Sequence, residues 1–320
     1  FPVGQEGGRA VIGFFEKGSH IIVPSERCLI QHEASDLAAN TVKKWVEQYN
    51  ISIYNEISGQ GTLRHIVTKV GFKTKQLMVI LVANAEHILH TDKLIQLLKS
   101  AVPGFCSLIL NINTKETNII LGQTSKVIYG TSYITDYIGD IEFRLSPLSF
   151  FQVNPAQVEI LYNKALEFAE LKGHETVIDA YCGIGTISLF LAKKARKVYG
   201  IEIVSQAIQD ARLNAKLNGI ENVEFIEGAA EDIMGEFVKQ EIQPDVIVMD
   251  PPRRGCDEKL LDTAVTMKPK RMVYVSCNPA TLARDLRFLE DRGYKTQKVQ
   301  PIDMFPHTYH VECVVLITKL

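Results

Sequence analysis

Apolar and polar positions along this chain of 320 residues follow two different rhythms. Up to about residue 145, short strand-like stretches are interrupted by two segments of helical spacing. Residues 9–15 and 20–23 flank Lys17-Gly18-Ser19, a turn signal. Ala38, Val42, Trp45 and Tyr49 recur at the spacing of one helix face. "LRHIVTKVGF" and "QLMVILVA" read as two strands joined through Lys73-Thr74-Lys75. The pattern is α+β.

Beyond residue 145 the rhythm changes. Asn154 as N-cap and Pro155 behind it open a helix whose apolar face is Val158, Leu161, Ala165 and Phe168, with Gly173 as its expected terminator. The runs "TVIDAY", "KVYGIE", "VEFIEG", "DVIVMD" and "RMVYVS" then alternate with helical segments, and "VECVVLIT" closes the chain. Such alternation predicts a doubly wound parallel sheet. The expected fold class is α/β, with a smaller α+β domain over 1–145 and the doubly wound domain over 146–320.

Composition narrows the function classes. With 46% hydrophobic and 22% charged residues the chain reads as globular, and no apolar run reaches the ~18 residues of a membrane span. A formal net charge of −2 excludes a whole-chain electrostatic footprint for nucleic acid and leaves room for a local basic patch. The six cysteines form no Cys-x-x-Cys pair, which points to reduced thiols in the cytoplasm, with no metal site. The chain opens mid-pattern at Phe1, so a preceding segment is expected.

Candidate chemistry gathers in the second half. "DAYCGIGT" joins a strand to a helix through Gly183 and Gly185, where small residues let a ligand approach the backbone. Glu202 ends the next run, about 20 residues on, where an acid can hold ribose hydroxyls. The third glycine of a dinucleotide site is missing, so the pocket resembles class I S-adenosylmethionine (SAM) methyltransferases more than NAD enzymes. Ala229 stands where that class often holds the adenine with an acid, leaving a backbone contact or a neighbouring acid to do so. Asp250 ends the fourth run, before Pro251-Pro252-Arg253-Arg254. Arg253 and Arg254 either solvate this loop or meet a phosphate, with the phosphate slightly favoured. In "VYVSCNPATLARDL", Asn278 caps a helix with the stripe Leu282, Leu286, Leu289 and terminator Gly293. Cys277 then sits at a strand end near a helix N-terminus, a place that favours thiolate. A small packing residue and a nucleophile are equal readings of it on these grounds.

Five motifs in order, "SFFQVN", "DAYCGIGT", "DPPRRG", "SCNPATLARDL" and "PIDMFPHTYHVECV", resemble the RNA uracil-5-methyltransferase family over essentially the whole chain. The resemblance implies a class I Rossmann-like sheet with an antiparallel last strand. It makes Cys277 the nucleophile and Glu312 the general base. It places Gln152, Tyr181, Gly183, Thr186, Glu202 and Asp250 in the SAM and target pocket. It implies SAM as cofactor and RNA as partner, with the target uridine extruded into the pocket and a monomeric enzyme. "DAYCGIGTISLFLA" and "DPPRRGCD" look closer to the 23S ribosomal RNA branch than to the transfer-RNA T-loop branch. Members usually carry an N-terminal OB-like RNA-binding domain, and some bind an iron–sulfur cluster; Cys28 lies near the last cluster position, without its partner cysteines, and is read as structural. Two other classes stand beside this reading: a SAM enzyme for a small molecule or protein, and an RNA-binding module with a vestigial pocket.

Overall fold

Two separate hydrophobic cores form from the two rhythms. A computed structural model describes residues 1–320. It divides into one unit of Phe1–Tyr137 with Arg144–Leu148, and a second of Ile138–Phe143 with Ser149–Leu320. No helix is long and apolar enough to cross a membrane.

In the first unit, β1 (Val3–Glu6), β2 (Arg9–Phe15) and β3 (Ile22–Pro24) make a small antiparallel sheet. After α1 (Glu33–Gln48), β4 (Leu63–Val70), β5 (Leu77–Ala83), β6 (Phe105–Ile112) and β7 (Thr124–Gly130) pair side by side, with α2 (Thr91–Ala101) crossing between the parallel β5 and β6. Every residue of β5 is buried, as an apolar strand covered on both faces must be. Trp45 fills the α1 side of this core and satisfies its indole by donating to the His90 carbonyl at 2.8 Å. Tyr49, expected inside that helix, is instead its C-cap and stacks on His90. The hairpin of β8 (Ile134–Ile138) and β9 (Ile141–Leu145) follows.

The second unit opens with α3 (Pro155–Ala169), and Asn154 accepts the Gln157 N–H as its cap. Five strands then alternate with helices: β10 (Thr176–Asp179), α4 (Thr186–Ala192), β11 (Lys197–Glu202), α5 (Ser205–Leu217), β12 (Val223–Glu227), α6 (Ala230–Lys239), β13 (Val246–Met249), α7 (Glu258–Thr266) and β14 (Arg271–Ser276). Then come α8 (Pro279–Glu290), β15 (Tyr294–Ile302) and β16 (Glu312–Lys319). The sheet order is β12-β11-β10-β13-β14-β16-β15. The first five strands are parallel, and β16 runs antiparallel between β14 and β15. The α/β class is as the sequence pattern predicts, and the antiparallel last strand is as the resemblance implies. The order reverses between β10 and β13, where such sheets open a crevice at the carboxyl ends of their strands.

Two elements depart from the sequence reading. The strand β15 went unread because most of "YKTQKVQPI" is exposed; it is a lysine-bearing edge with a bulge between Thr296 and Lys298. Helix α3 stops at Ala169, with Glu170 in the left-handed region, rather than running on toward Gly173. The cause is Glu175, whose buried carboxylate accepts the N–H groups of Lys172, Gly173 and His174 at 2.8, 3.0 and 3.2 Å. A longer helix would keep those donors for its own ladder.

The turn between β10 and α4 needs both glycines, for different reasons. Gly185 has φ +85°, and a Cβ there would lie 2.8 Å from the Phe225 ring; Gly183 has φ +54° but open space around the same position. Gly185→Ala should therefore cost about 3 kcal/mol and Gly183→Ala about 1 kcal/mol, from left-handed strain with and without overpacking. Urea unfolding monitored on the second unit checks this; equal losses would refute it.

Candidate active site

The chemistry-bearing residues lie at the carboxyl ends of β10, β11, β13 and β14, joined by the start of β16. Asp179 ends β10 with its side chain fully buried. Its Oδ2 accepts the Ser188 hydroxyl at 2.6 Å, while Oδ1 has no partner. Burial raises its pKa to about 6. Parallel pairing sets Glu202 beside this turn: Oε2 accepts the Gly183 N–H at 3.2 Å and Oε1 the Val204 N–H at 2.8 Å. Ala229 N-caps α6 with no side-chain bond. Thr186, the first residue of α4, shares a hydrogen bond with the buried Tyr162 hydroxyl. Tyr181 is half-buried against Cys256. Gln152 is half-buried just before Asn154, whose amide donates to the Met304 carbonyl at 3.1 Å. That bond ties the segment to the loop leading into β16. Phe151 packs on Phe143, and Phe150 is exposed.

The residues at β13, β14 and β16 come together through strand register. Met249 is opposite Tyr274, and Ser276 is opposite Cys313. Asp250, Cys277 and Glu312 therefore stand one residue beyond or before those rungs, at one end of the sheet. Glu312 is buried, and desolvation raises its pKa against the pull of Arg253. Asp250 is raised well above the usual carboxylate range by burial, then by Glu312 and Asp179. The Cys277 thiol is raised by burial, then by Glu312 and Asp250, with Arg253 acting in the opposite direction.

Against the expectation that the α8 N-terminus favours a thiolate stands the burial of Cys277. Cys277 precedes the cap, and Asn278 spends its own side chain on the Ala280 N–H. Burial first, and then two carboxyl groups from other parts of the sheet, favour the neutral thiol. Arg253, read from sequence as a phosphate contact, is also the one cation acting on both Cys277 and Glu312. Its guanidinium lies 3.5 Å from His310 Nε2. Asp179 and Tyr162 were missed; Asp179 stands inside the quoted "DAYCGIGT", a carboxylate ending a buried strand.

The pocket's chemistry fits a nucleoside-bearing sulfonium donor. Open space at Gly183, the Glu202 carboxylate beside it and the unpaired Asp179 oxygen offer acceptors, with no third glycine for a pyrophosphate.

Comparison with known proteins decides the family. A profile described as tRNA (Uracil-5-)-methyltransferase matches residues 107–320. The chain belongs to the RNA uracil-5-methyltransferase family. Enzymes of this family transfer a methyl group from SAM to carbon 5 of a uracil in RNA. An uncharacterized RNA methyltransferase of Caldanaerobacter subterraneus subsp. tengcongensis is 53% identical over 320 residues, covering 100% of this chain and 71% of that protein. One from Clostridium tetani is 51% identical over 317 residues, covering 99% and 69%. Among solved structures, the Pyrococcus abyssi tRNA (uracil-54, C5)-methyltransferase in complex with S-adenosyl-L-homocysteine superposes with a TM-score of 0.83 at 28% identity. It covers 99% of this chain and 75% of that one.

The charge arrangement around the thiol of this RNA uracil-5-methyltransferase sets a pH test. Glu312→Gln removes a negative neighbour, so the midpoint of Cys277 alkylation by iodoacetamide should fall by about one pH unit. Peptide mass spectrometry across a pH series reads it; a midpoint unchanged or raised would contradict this account of the site.

Proposed function

We propose that this RNA uracil-5-methyltransferase works through a transient bond between Cys277 Sγ and carbon 6 of a uridine in 23S ribosomal RNA. The supporting observation is the β14–β16 register, which sets a thiol and an acid at one strand-end rim. Carbon 5 of uracil is too weak a nucleophile to collect a methyl group unaided. Addition of the Cys277 thiolate to carbon 6 pushes electron density into an enolate and makes carbon 5 nucleophilic. SAM, when bound, supplies the methyl group on a sulfonium; Gln152, Tyr181, Gly183, Thr186 and Glu202 are the residues we assign to holding it. Burial and acid neighbours favour the protonated form of Asp250, so we assign it a hydrogen bond to the developing enolate oxygen. Glu312 then takes the proton from carbon 5, the electron pair reforms the ring double bond, and Cys277 departs as thiolate.

The uridine is extruded from its helix or loop to reach this rim. We assign residues 1–145 to RNA binding and 146–320 to catalysis, in a cytoplasmic enzyme. The ribosomal target rests on the closeness of "DAYCGIGTISLFLA" and "DPPRRGCD" to that branch. The likeness to an enzyme for uracil-54 of transfer RNA supports the second reading, a T-loop uridine. Mapping 5-methyluridine in ribosomal and transfer RNA of cells lacking the gene separates the two: the target is the RNA that loses its mark.

RNA containing 5-fluorouridine has no removable proton at carbon 5 and should trap a denaturation-resistant protein–RNA adduct. The adduct should be absent with Cys277→Ala, and methylation by that variant at the normal rate would rule the mechanism out. Glu312→Gln should transfer methyl to ordinary RNA but accumulate the adduct; brisk turnover would remove Glu312 from the base role.

A further inference from the structure

Asp285 is a carboxylate on the buried face of α8, 1% exposed, in a stripe otherwise made of leucines. A charge in that position is costly unless it is fully engaged. It is engaged with the loop that follows β13. Its Oδ2 accepts the Cys256 N–H at 2.8 Å and the Tyr274 hydroxyl at 2.6 Å, and its Oδ1 accepts Arg284 Nε at 2.8 Å. Arg284 in turn donates to the Arg254 carbonyl at 2.9 Å. The first turn of the same helix adds two more bonds, both to the Arg253 carbonyl: Asn278 Nδ2 at 2.9 Å and Thr281 Oγ1 at 3.2 Å.

The loop has been shaped to this contact. Gly255 has φ +80°, and a Cβ there would lie 2.5 Å from Arg284 Nη2 and 2.6 Å from Asp285 Oδ2. Only a residue without a side chain lets the loop close down on the carboxylate. Beyond Asp285, the Cys256 thiol lies within hydrogen-bonding reach of the Tyr274 and Tyr181 hydroxyls. One buried acid thus touches the strand that ends just before Cys277, the helix that follows it, and the loop between Asp250 and Cys256.

We propose that Asp285 is a positioning residue that clamps the 250–256 loop to α8 and thereby holds the Arg253 guanidinium toward Cys277 and Glu312. Arg253 is exposed, with its guanidinium 3.5 Å from His310 Nε2 and its backbone carbonyl accepting from Asn278 and Thr281 at the start of α8. Release of the clamp lets the guanidinium drift into solvent. The groups left facing Cys277 are then Glu312 from β16 and Asp250 from the end of β13, both acids. The inference rests on the proposed mechanism for its importance to catalysis. The ionisation of the thiol, however, is measurable without RNA or turnover.

The sign of the effect separates positioning from simple charge removal. Deleting a negative charge with the loop left in place would favour the thiolate, whereas losing Arg253 disfavours it. Iodoacetamide alkylation of Cys277 in the full chain, read by peptide mass spectrometry over a pH series, reports the midpoint. Asp285→Asn should raise that midpoint by about one unit, a roughly tenfold slower alkylation below it. Leu289→Ala, a cavity in the same helix, should lower the unfolding temperature and leave the midpoint alone. In an Arg253→Ala background the Asp285→Asn shift should vanish. Tyr274→Phe, which removes one bond to the carboxylate, should give a smaller shift in the same direction and serves if Asp285→Asn does not fold. A midpoint unchanged or lowered by Asp285→Asn or Tyr274→Phe, or a shift that persists without Arg253, would overturn the inference. Failure of Cys277→Ala to abolish the 5-fluorouridine adduct would instead count against the mechanism and leave this result standing.

Discussion

The antiparallel hydrogen-bond ladder between β14 and β16 is the constraint on which the rest depends. In a parallel sheet the start of a strand lies at the end opposite the carboxyl termini of its neighbours. Reversing one strand brings a start to the functional edge, and Glu312 is that start. The ladder from Arg271 opposite Thr318 to Ser276 opposite Cys313 fixes its position to the residue. The central residues Val314, Val315, Leu316 and Ile317 are buried. A slip of one residue would exchange the faces of all of them. The core of the second unit thus holds the acid in register with the thiol.

That register creates an electrostatic problem, and the problem suits the chemistry. Three acidic groups, Asp250, Cys277 and Glu312, occupy one desolvated rim with a single arginine facing them. Burial raises the cost of ionising all three, Glu312 adds to it for Asp250 and Cys277, and Asp250 adds to it for Cys277. An uncharged pyrimidine, the proposed target, would add no charge on entering such a rim. In the proposed mechanism a raised Asp250 can donate to the enolate oxygen, and a raised Glu312 is, once ionised, a stronger acceptor for the carbon-5 proton. The buried Asp285 takes part in the same balance at one remove, by anchoring the loop that bears the lone cation.

Much of this was legible in the sequence, for identifiable reasons. Buried parallel strands are nearly continuous apolar runs, so β10 to β14 could be read in order, and Asn154 and Asn278 announced the helices behind them. The edge strand β15 could not, since solvent and its two lysines hide the alternation. The end of α3 was set by Glu175, whose carboxylate reaches back over three donors that no periodicity reveals. The surroundings of Cys277 were the least legible part. Helix-end reasoning uses neighbours in sequence, whereas Glu312 and Asp250 reach the thiol from other strands. Asp285 left a faint sign, a carboxylate between Leu282 and Leu289 on the apolar face of a helix.

The place of β16 in the sheet also shapes how the enzyme can come into being. It lies between β14 and β15 although both are synthesised before it. Until it arrives, β14 has an open edge and β15 has no partner at all. The second unit must therefore wait with a gap in its sheet, exposing unpaired backbone N–H and C=O groups to other chains, because the strand that fills it follows both its neighbours in the chain. The residue that begins that strand is Glu312, so completion of the sheet and arrival of the acid are a single event. A nascent chain cannot hold a finished rim without a finished core.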